Sequence, residues 1–404
     1  MREVVIVGGG QAGYQTAASL RTEGFEGSIT LIGDEPHAPY QRPPLSKAFV
    51  LGKQDREKIL LRPEVFYRER GIRLVGGETV ASIDRVSRRV RLESGAEICF
   101  DTLVLAVGAR NRKLPVPGAE LDGVCYLRTL SEAVELKQRL EAARNIVVIG
   151  GGFIGLEIAA SARILGKPVT VLEALPRLMA RVVAPVVSEF FRAAHVARGV
   201  EVVLNAQVRE LRGEAGKVRE VILADGRVLA SDLVIVGIGI VPNTELASAA
   251  GLPVVLGGIS VDEFLRAGDA NIFAIGDCAE YHNVFAGARV RLESVQNAVD
   301  HAVCVARTIA GKPVPYHAAP WFWSDQFDIR LQMAGLGTGH DRTVVRGNIE
   351  SGKFSVFYFR GGRLCSVDSV NRPADHLAAR KLLASGTDLT PEQAADENVS
   401  IKTT

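Results

Sequence analysis

Two glycine clusters, Gly8-Gly9-Gly10-Gln11-Ala12-Gly13 and Gly150-Gly151-Gly152-Phe153-Ile154-Gly155, share the spacing G-x-G-x-x-G. Gly8, Gly10 and Gly13 set it in the first, and Gly150, Gly152 and Gly155 in the second. Glycines so placed permit a tight turn, close approach of backbone to a pyrophosphate, and packing of a helix against a strand. The phosphates would rest on a helix N-terminus, where free N–H groups and the helix dipole favour negative charge. A ribose hydroxyl needs an acceptor at the end of the next strand, about twenty residues on. The chain offers Asp34 and Glu35 for the first cluster and Glu173 for the second. One such site is ordinary; two in one chain imply electrons passing between two bound dinucleotides.

The elements that must position these groups are legible beside them. Val4-Val5-Ile6-Val7 precedes the first cluster and Asn145-Ile146-Val147-Val148-Ile149 the second. Such unbroken β-branched runs predict buried parallel strands. Ser28-Ile29-Thr30-Leu31-Ile32 and Pro168-Val169-Thr170-Val171-Leu172 predict the strands that carry the carboxylates. A second repeat supports a duplication. Leu92-Glu93-Ser94-Gly95 leads to Asp101-Thr102-Leu103-Val104-Leu105-Ala106-Val107-Gly108, and Leu223-Ala224-Asp225-Gly226 leads to Asp232-Leu233-Val234-Ile235-Val236-Gly237-Ile238-Gly239. Ser-Gly and Asp-Gly are hairpin turn pairs. Each half is expected to hold a βαβ unit, a small antiparallel layer and a closing strand.

Proline and glycine gather at Leu114-Pro115-Val116-Pro117-Gly118, Val241-Pro242-Asn243 and Pro313-Val314-Pro315. The fold class expected is α/β, with two Rossmann-like dinucleotide-binding domains, the second inserted in the first. The first spans residues 1–112 and 243–318, taking back the strand in Asn271-Ile272-Phe273-Ala274-Ile275-Gly276-Asp277, and the second spans 113–242. From 319 to 404 the pattern changes. Alternation in Lys353-Phe354-Ser355-Val356-Phe357-Tyr358-Phe359, a Gly361-Gly362 turn, Arg363 to Val367, and a helical run from Ala374 to Ala384 predict an α+β domain.

Composition bounds the rest. A chain of 404 residues suggests two or three domains, and 41 glycines exceed the usual share of roughly 7%. A net charge of +2, from 48 basic and 46 acidic residues, argues against nucleic acid as a partner. The five cysteines, Cys99, Cys125, Cys278, Cys304 and Cys365, stand apart, with no C-x-x-C and no metal-ligand spacing. They are expected to be buried small hydrophobes in a reducing compartment. A first strand near the fourth residue argues against a signal peptide. The longest apolar stretch, Ile146 to Ala162, contains turn glycines and Glu157, so no membrane span is expected. The expected location is the cytoplasm.

Further motifs carry a resemblance: Pro39-Tyr40-Gln41-Arg42-Pro43-Pro44-Leu45-Ser46-Lys47, Tyr126-Leu127-Arg128-Thr129-Leu130, Ile275-Gly276-Asp277-Cys278-Ala279, Glu293-Ser294-Val295-Gln296-Asn297-Ala298 and Pro320-Trp321-Phe322-Trp323-Ser324-Asp325-Gln326. With the two clusters they resemble, over the whole chain, the FAD-dependent pyridine-nucleotide reductases that serve [2Fe-2S] ferredoxins in cytochrome P450 systems. The resemblance implies FAD on the first cluster, with Asp34, favoured over Glu35, on its adenosine ribose. Arg42, Lys47 and Arg128 would be the cations facing the pyrophosphate and flavin, and Asp277 a carboxylate on the ribityl chain or pyrophosphate edge. Asp277 is also compatible with capping the helix after it. Ala109, after the closing glycine, would touch the flavin, and Trp323 would lie over its ring. Val80 and Val295 complete the implied FAD set. NADH falls to the second cluster, with Phe153, Ile154 and Gly239 beside it. The catalytic residues implied are Lys47 and Glu157, paired where the nicotinamide docks. Residues 319–404 would be an interface domain.

A carboxylate at Glu173 accepts from a free ribose 2′-OH and repels a 2′-phosphate, which favours NADH over NADPH. Arg177 and Arg181 follow closely enough to moderate that preference. Disulfide-reducing relatives carry a C-x-x-x-x-C pair near the flavin; here the loop is Leu45-Ser46-Lys47-Ala48-Phe49. Electrons must therefore leave for an external acceptor; the resemblance implies that it is a [2Fe-2S] ferredoxin, to which FAD can pass them one at a time. Arg62, Arg68, Arg70, Arg291 and Arg330 are candidate docking charges for that acidic partner. A rubredoxin reductase, an NADH oxidase or diaphorase, and an NADH-switched flavoprotein similar to apoptosis-inducing factor are the alternatives.

Overall fold

A computed structural model describes residues 2–387 and 389–401. The chain divides into two compact units, one of Met1–Gln41, Arg56–Arg110 and Val241–Phe322, the other of Arg42–Asp55, Asn111–Ile240 and Trp323–Thr404. Crossings at 110/111 and 240/241 put the second glycine cluster in a segment inserted between parts of the first unit.

The first unit is built on a six-stranded sheet in the order Arg266–Asp269, Ile272–Ala274, Thr102–Leu105, Glu3–Val7, Ser28–Gly33, Ile72–Gly76. Glu3–Val7 pairs in parallel with both Ser28–Gly33 and Thr102–Leu105. Val4, Val5 and Ile6 are essentially inaccessible, as a strand covered on both faces requires. Ile272–Ala274 pairs in parallel beside Thr102–Leu105 in this sheet.

The second unit repeats this plan. Its five-stranded sheet runs Glu201–Val203, Val169–Leu172, Ile146–Ile149, Leu233–Val236, Val124–Cys125. Each half thus has the order closing strand, cluster strand, carboxylate strand, next strand. The hairpin layers are repeated too, Val80–Asp84, Arg89–Leu92 and Glu97–Cys99 in one unit and Val208–Glu214, Lys217–Leu223 and Val228–Ala230 in the other. Even the turn bonds correspond, with the Gly95 N–H on Leu92 O and the Gly226 N–H on Leu223 O.

From residue 321 a five-stranded antiparallel sheet, in the order Trp321–Gln326, Ile329–Gly335, Arg363–Val370, Lys353–Arg360, Arg342–Asn348, carries the helix Pro373–Ser385. Phe354 through Phe359 are all buried, although the segment alternates in sequence. Phe354, Val356 and Tyr358 share a core with Val187 and Phe191 of helix Pro185–Ala197, so the second face is covered as well. Segment 323–404 therefore packs within the same unit as the second glycine cluster. Among the described residues, no helix is long and apolar enough to cross a membrane.

The glycines of the two clusters divide into those the fold demands and those it does not. A Cβ on Gly8 would lie 2.1 Å from Ala106 O, and one on Gly150 would lie 2.3 Å from Gly237 O, where each turn presses on its closing strand. On Gly13 and Gly155 it would meet the Gly8 and Gly150 carbonyl oxygens at 1.9 and 2.0 Å. At Gly10 and Gly152 it would meet nothing within 4 Å, and both have φ of −83°, which any residue adopts. Gly13→Ala and Gly155→Ala are therefore expected to cost roughly 3 kcal/mol or more, from forced backbone movement. Gly10→Ala and Gly152→Ala should stay within about 1 kcal/mol of the parent, a difference that denaturant unfolding will read directly.

Candidate functional site

In the first unit the turn Gly8–Gly10 opens helix Gln11–Thr22, whose first turn carries no acidic residue and whose N-cap, Gly10, supplies no side-chain cap. The leading N–H groups thus point from a positive helix end into space that a Cβ on Gly10 would begin to fill. Such a turn and helix end form a cradle that can hold an anion. Around it the fold brings Ala106–Gly108 against Gly8, and Gly276 against Ala12, 3.3 Å from the latter's methyl if given a Cβ. Gly33 packs on Gly9, and the Glu78 N–H on Gly33 O ties in the hairpin layer that begins at Val80. Ala109 is buried at the start of strand Ala109–Asn111, and Val295 opens helix Val295–Ile309.

Asp34 is exposed beyond the second strand, while the Tyr40 hydroxyl donates to the Glu35 carboxylate at 2.7 Å. The motif's tyrosine engages one of the two candidate acceptors and leaves Asp34 outward. Asp277 lies inside a short 3-10 turn, Gly276–Cys278, which leads into strand Ala279–Asn283. It caps no helix, because the N-cap of Val295–Ile309 is Ser294, whose hydroxyl accepts from the Asn297 N–H at 3.1 Å. Gly276 makes the turn at φ 72°, and the Arg291 guanidinium holds the Asp277 carbonyl at 3.0 Å.

The second unit repeats the cradle at Gly150–Gly155, again with no acid in the first turn of helix Phe153–Ile164. Phe153 is half-buried, Ile154 is 45% exposed and Gly239, at φ 102°, is exposed at the end of the closing strand. An apolar side chain left open at a helix N-terminus suits a flat ring as neighbour. Glu173 reaches back over the turn. Its carboxylate accepts from the Gly151 N–H at 2.7 Å and from the Leu175 N–H at 2.8 Å, so it is fixed at the mouth of the cradle. Arg177, which the sequence left able to attract a 2′-phosphate, is consumed internally. Its guanidinium donates to Val183 O and Ala180 O at 2.6 Å each and to the Ser188 hydroxyl at 2.9 Å. Arg181 is exposed.

One turn into the helix lies Glu157, only 3% exposed. A carboxylate removed from water to this degree needs a partner for each oxygen. Lys47 Nζ stands 2.7 Å from Oε2, the Ser46 hydroxyl donates to Oε2 at 2.5 Å, and the Ser324 hydroxyl donates to Oε1 at 2.8 Å. The Ser161 hydroxyl, one turn further along the helix, donates to Ser46 O at 2.8 Å and locks the loop that delivers Ser46 and Lys47. Lys47 retains 22% exposure, so one face of the cation is open. Arg42 donates to the carbonyl of Arg128, whose own N–H donates to Glu132 at 2.7 Å in the capping box of helix Leu130–Ala142. The three expected cations therefore share a unit, with Lys47 alone paired to Glu157. Trp323 is half-buried beside Ser324 in the strand. Sequence reasoning missed the serines, although both lay in quoted motifs; the signal was a glutamate in an apolar helix with one cation to satisfy two oxygens.

The cysteines bear on where electrons can go. Cys125, Cys278, Cys304 and Cys365 are buried, but Cys99, expected inside, is exposed on the outer strand of a hairpin layer. Burial pushes the thiols of Cys125, Cys278 and Cys304 up to about 11, so each remains protonated and unreactive near neutrality. Cys278 adjoins Asp277, which makes its inertness relevant to any flavin there. Of the candidate docking cations, Arg291 pairs with Glu293 at 2.6 Å and Arg330 with Asp325 at 3.3 Å, while Arg62 and Arg70 lie over the Phe66 ring.

Because Glu173 is the fixed charge at the second cradle and Arg177 is spent, Glu173→Gln should lower the NADH over NADPH preference in kcat/KM about tenfold, equivalent to ~1.4 kcal/mol. Steady-state kinetics with both nucleotides will show it, and an unchanged ratio would remove Glu173 from specificity.

Comparison with known proteins agrees with this geometry. The family model described as pyridine nucleotide-disulphide oxidoreductase matches residues 2–302, and one described as reductase C-terminal matches residues 321–404. The rhodocoxin reductase of Rhodococcus erythropolis is 52% identical over 99% of this chain and 93% of its own length. A rubredoxin-NAD(+) reductase of Pseudomonas putida is 42% identical over 92% of this chain and 96% of its own. Among solved structures, the ferredoxin reductase for the CYP199A2 system from Rhodopseudomonas palustris superposes with a TM-score of 0.97 at 47% identity, covering 99% of both chains. Two glycine turns opening helices, a carboxylate at the second and a buried Lys–Glu pair thus sit in an oxidoreductase that belongs to the pyridine nucleotide-disulphide oxidoreductase family, whose members use FAD and NAD(P)H.

Proposed function

We propose that this chain is an NADH-dependent flavoprotein reductase that passes electrons singly to a [2Fe-2S] ferredoxin serving a cytochrome P450 or similar oxygenase in the cytoplasm. The observation that carries the reading is the Lys47–Glu157 pair, buried at the start of the helix that the second cluster opens. Ser46 and Lys47 occupy the loop where a disulfide reductase would hold a redox cysteine, and both side chains are committed to Glu157. The bound FAD would take up a hydride and release single electrons, the chemistry a one-electron acceptor needs.

The chain's own residues have separate tasks. Gly8, Gly10 and Gly13 hold the FAD pyrophosphate, Asp34 its adenosine ribose, and Asp277, Val80, Ala109 and Val295 complete the first unit's contribution. Arg42, Arg128 and Trp323 carry the flavin roles that the motifs imply. Gly150, Gly152 and Gly155 hold the NADH pyrophosphate and Glu173 its ribose, with Phe153, Ile154 and Gly239 beside it. Lys47, held by Glu157, would bind and orient the nicotinamide at this site. The same reading keeps 1–112 and 243–318 as the flavin domain, 113–242 as the nicotinamide domain and 319–404 as the interface domain. The rubredoxin reductase among the relatives supports rubredoxin as the second acceptor to try.

Glu157→Gln should slow flavin reduction by NADH about a hundredfold in stopped flow, with little loss of fold, since an amide still accepts from Ser324. Lys47→Met strands a buried carboxylate and should cost roughly 3–5 kcal/mol of stability on denaturant unfolding, less whatever the two serines retain. Ferredoxin turnover should fall at least severalfold between low and high salt; a flat profile would count against electrostatic docking.

A further inference from the structure

Behind Glu157, on the side away from Lys47, a line of buried polar groups runs into the unit's interior. Ser324, Gln326 and His195 are each essentially inaccessible. Ser324 donates to Glu157 Oε1 at 2.8 Å, Gln326 Nε2 donates to the Ser324 hydroxyl at 3.2 Å, and His195 Nε2 stands 2.9 Å from Gln326 Oε1. Nothing in the assigned chemistry uses Gln326 or His195, and polar side chains in an otherwise apolar core are costly unless each serves the next.

The direction of every bond follows from chemistry alone. A carboxylate only accepts, so the Ser324 proton is committed to Glu157. The serine oxygen can then only accept, so Gln326 must present its NH2 group, which turns its carbonyl toward His195. That carbonyl also only accepts, so His195 carries its proton on Nε2. Its Nδ1 is buried without a hydrogen-bond partner. Protonating it would place a lone charge in the core, and burial first, then the neighbouring Arg198, hold the imidazole below its ordinary pKa. Arg198 pairs with Asp328 at 2.5 Å and lies over the Phe327 ring, and a guanidinium only donates, so it cannot accept a proton from the imidazole. His195 sits in the last turn of helix Pro185–Ala197, packed edge-on against Phe327, and Gln326 and Ser324 share one face of strand Trp321–Gln326. All three donors are therefore mounted on regular elements, which fixes their aim.

We propose that His195, Gln326 and Ser324 form a one-way hydrogen-bond relay that positions the Glu157 carboxylate, and through it Lys47, for hydride transfer. All three are fully buried and reach the site only through Glu157, so they are positioning residues. The relay presents three aligned dipoles to Oε1 while Lys47 and Ser46 bind Oε2, so the carboxylate cannot swing when the nucleotide arrives. This inference deepens the proposed function and rests on the reading of Lys47 and Glu157 given there.

The test is anaerobic stopped flow of the FAD-loaded, full-length protein with NADH, which separates nucleotide Kd from the limiting rate of flavin reduction. Ser324→Ala and Gln326→Met should each lower the limiting rate about tenfold while leaving Kd within twofold. Ser324→Thr, which keeps the hydroxyl, should restore most of the rate. The decisive variant is the double one: a relay broken twice is no worse than broken once, so Ser324→Ala/Gln326→Met should also lose about tenfold rather than a hundredfold. Multiplying effects, or a Gln326→Met protein as fast as the parent, would overturn the relay. If Gln326→Met does not fold, His195→Asn, which keeps a donor of shorter reach, takes its place with the same expectation. Glu157→Gln separates the two levels. If it is slow while the relay variants are not, the relay alone fails; if it too is unaffected, the reading of the Lys47–Glu157 pair fails first.

Discussion

A carboxylate taken out of water is the constraint around which the second unit is arranged. Glu157 is 3% exposed on a mostly apolar helix, and an ion so placed survives only with a complete set of donors. Those donors come from segments remote in sequence: Ser46 and Lys47 from a loop over a hundred residues upstream, and Ser324 from a strand over a hundred residues downstream. This explains why Arg42–Asp55 and Trp323–Thr404 fall in one unit with Asn111–Ile240. Apolar packing of Phe354, Val356 and Tyr358 on Val187 and Phe191 supplies the bulk of that cohesion, and the buried charge supplies its specificity.

The duplicated cradles show a different economy. Both halves obey the same steric rule, in which the first glycine meets the closing strand's carbonyl and the last meets the carbonyl of the first. Of each cluster's glycines, only Gly10 and Gly152 would set a Cβ against nothing within 4 Å, which leaves room for a pyrophosphate to approach the backbone. Having built the same turn twice, the chain differentiates the halves by what surrounds them. Gly276, Asp277 and the helix at Val295 close in on the first, while Glu173 and the exposed Ile154 and Gly239 leave the second open. A tightly held cofactor and an exchanging one are what such surroundings suit.

Much of this was legible in the residues. Unbroken β-branched runs fixed the central strands, and the Ser-Gly and Asp-Gly turns at a constant offset gave the hairpin layers, because both signals are local. What failed was non-local. Alternation in Lys353 to Phe359 told of a strand but not that both its faces are buried, one of them under a helix from far earlier in the chain. Asp277 suited a helix cap until a strand followed it, and Cys99 looked like core until it fell on an outer strand. Arg177 was a reasonable phosphate ligand by position, and only the fold shows it spent on Val183, Ala180 and Ser188. The serines around Glu157 were missed for the same reason: their role exists only once three distant segments meet.

The central claim is that electrons enter as a pair from NADH and leave singly to an iron–sulfur protein. Double-mixing stopped flow tests it most directly. Anaerobic NADH is added to the yellow protein, then oxidised [2Fe-2S] ferredoxin, with flavin and iron–sulfur absorption followed together. The account predicts rapid bleaching by NADH, slower bleaching by NADPH, and return of the flavin colour as two ferredoxins are reduced for each NADH consumed. A protein that cannot be loaded with FAD, or a reduced flavin that ferredoxin leaves bleached while oxygen reoxidises it, would contradict it.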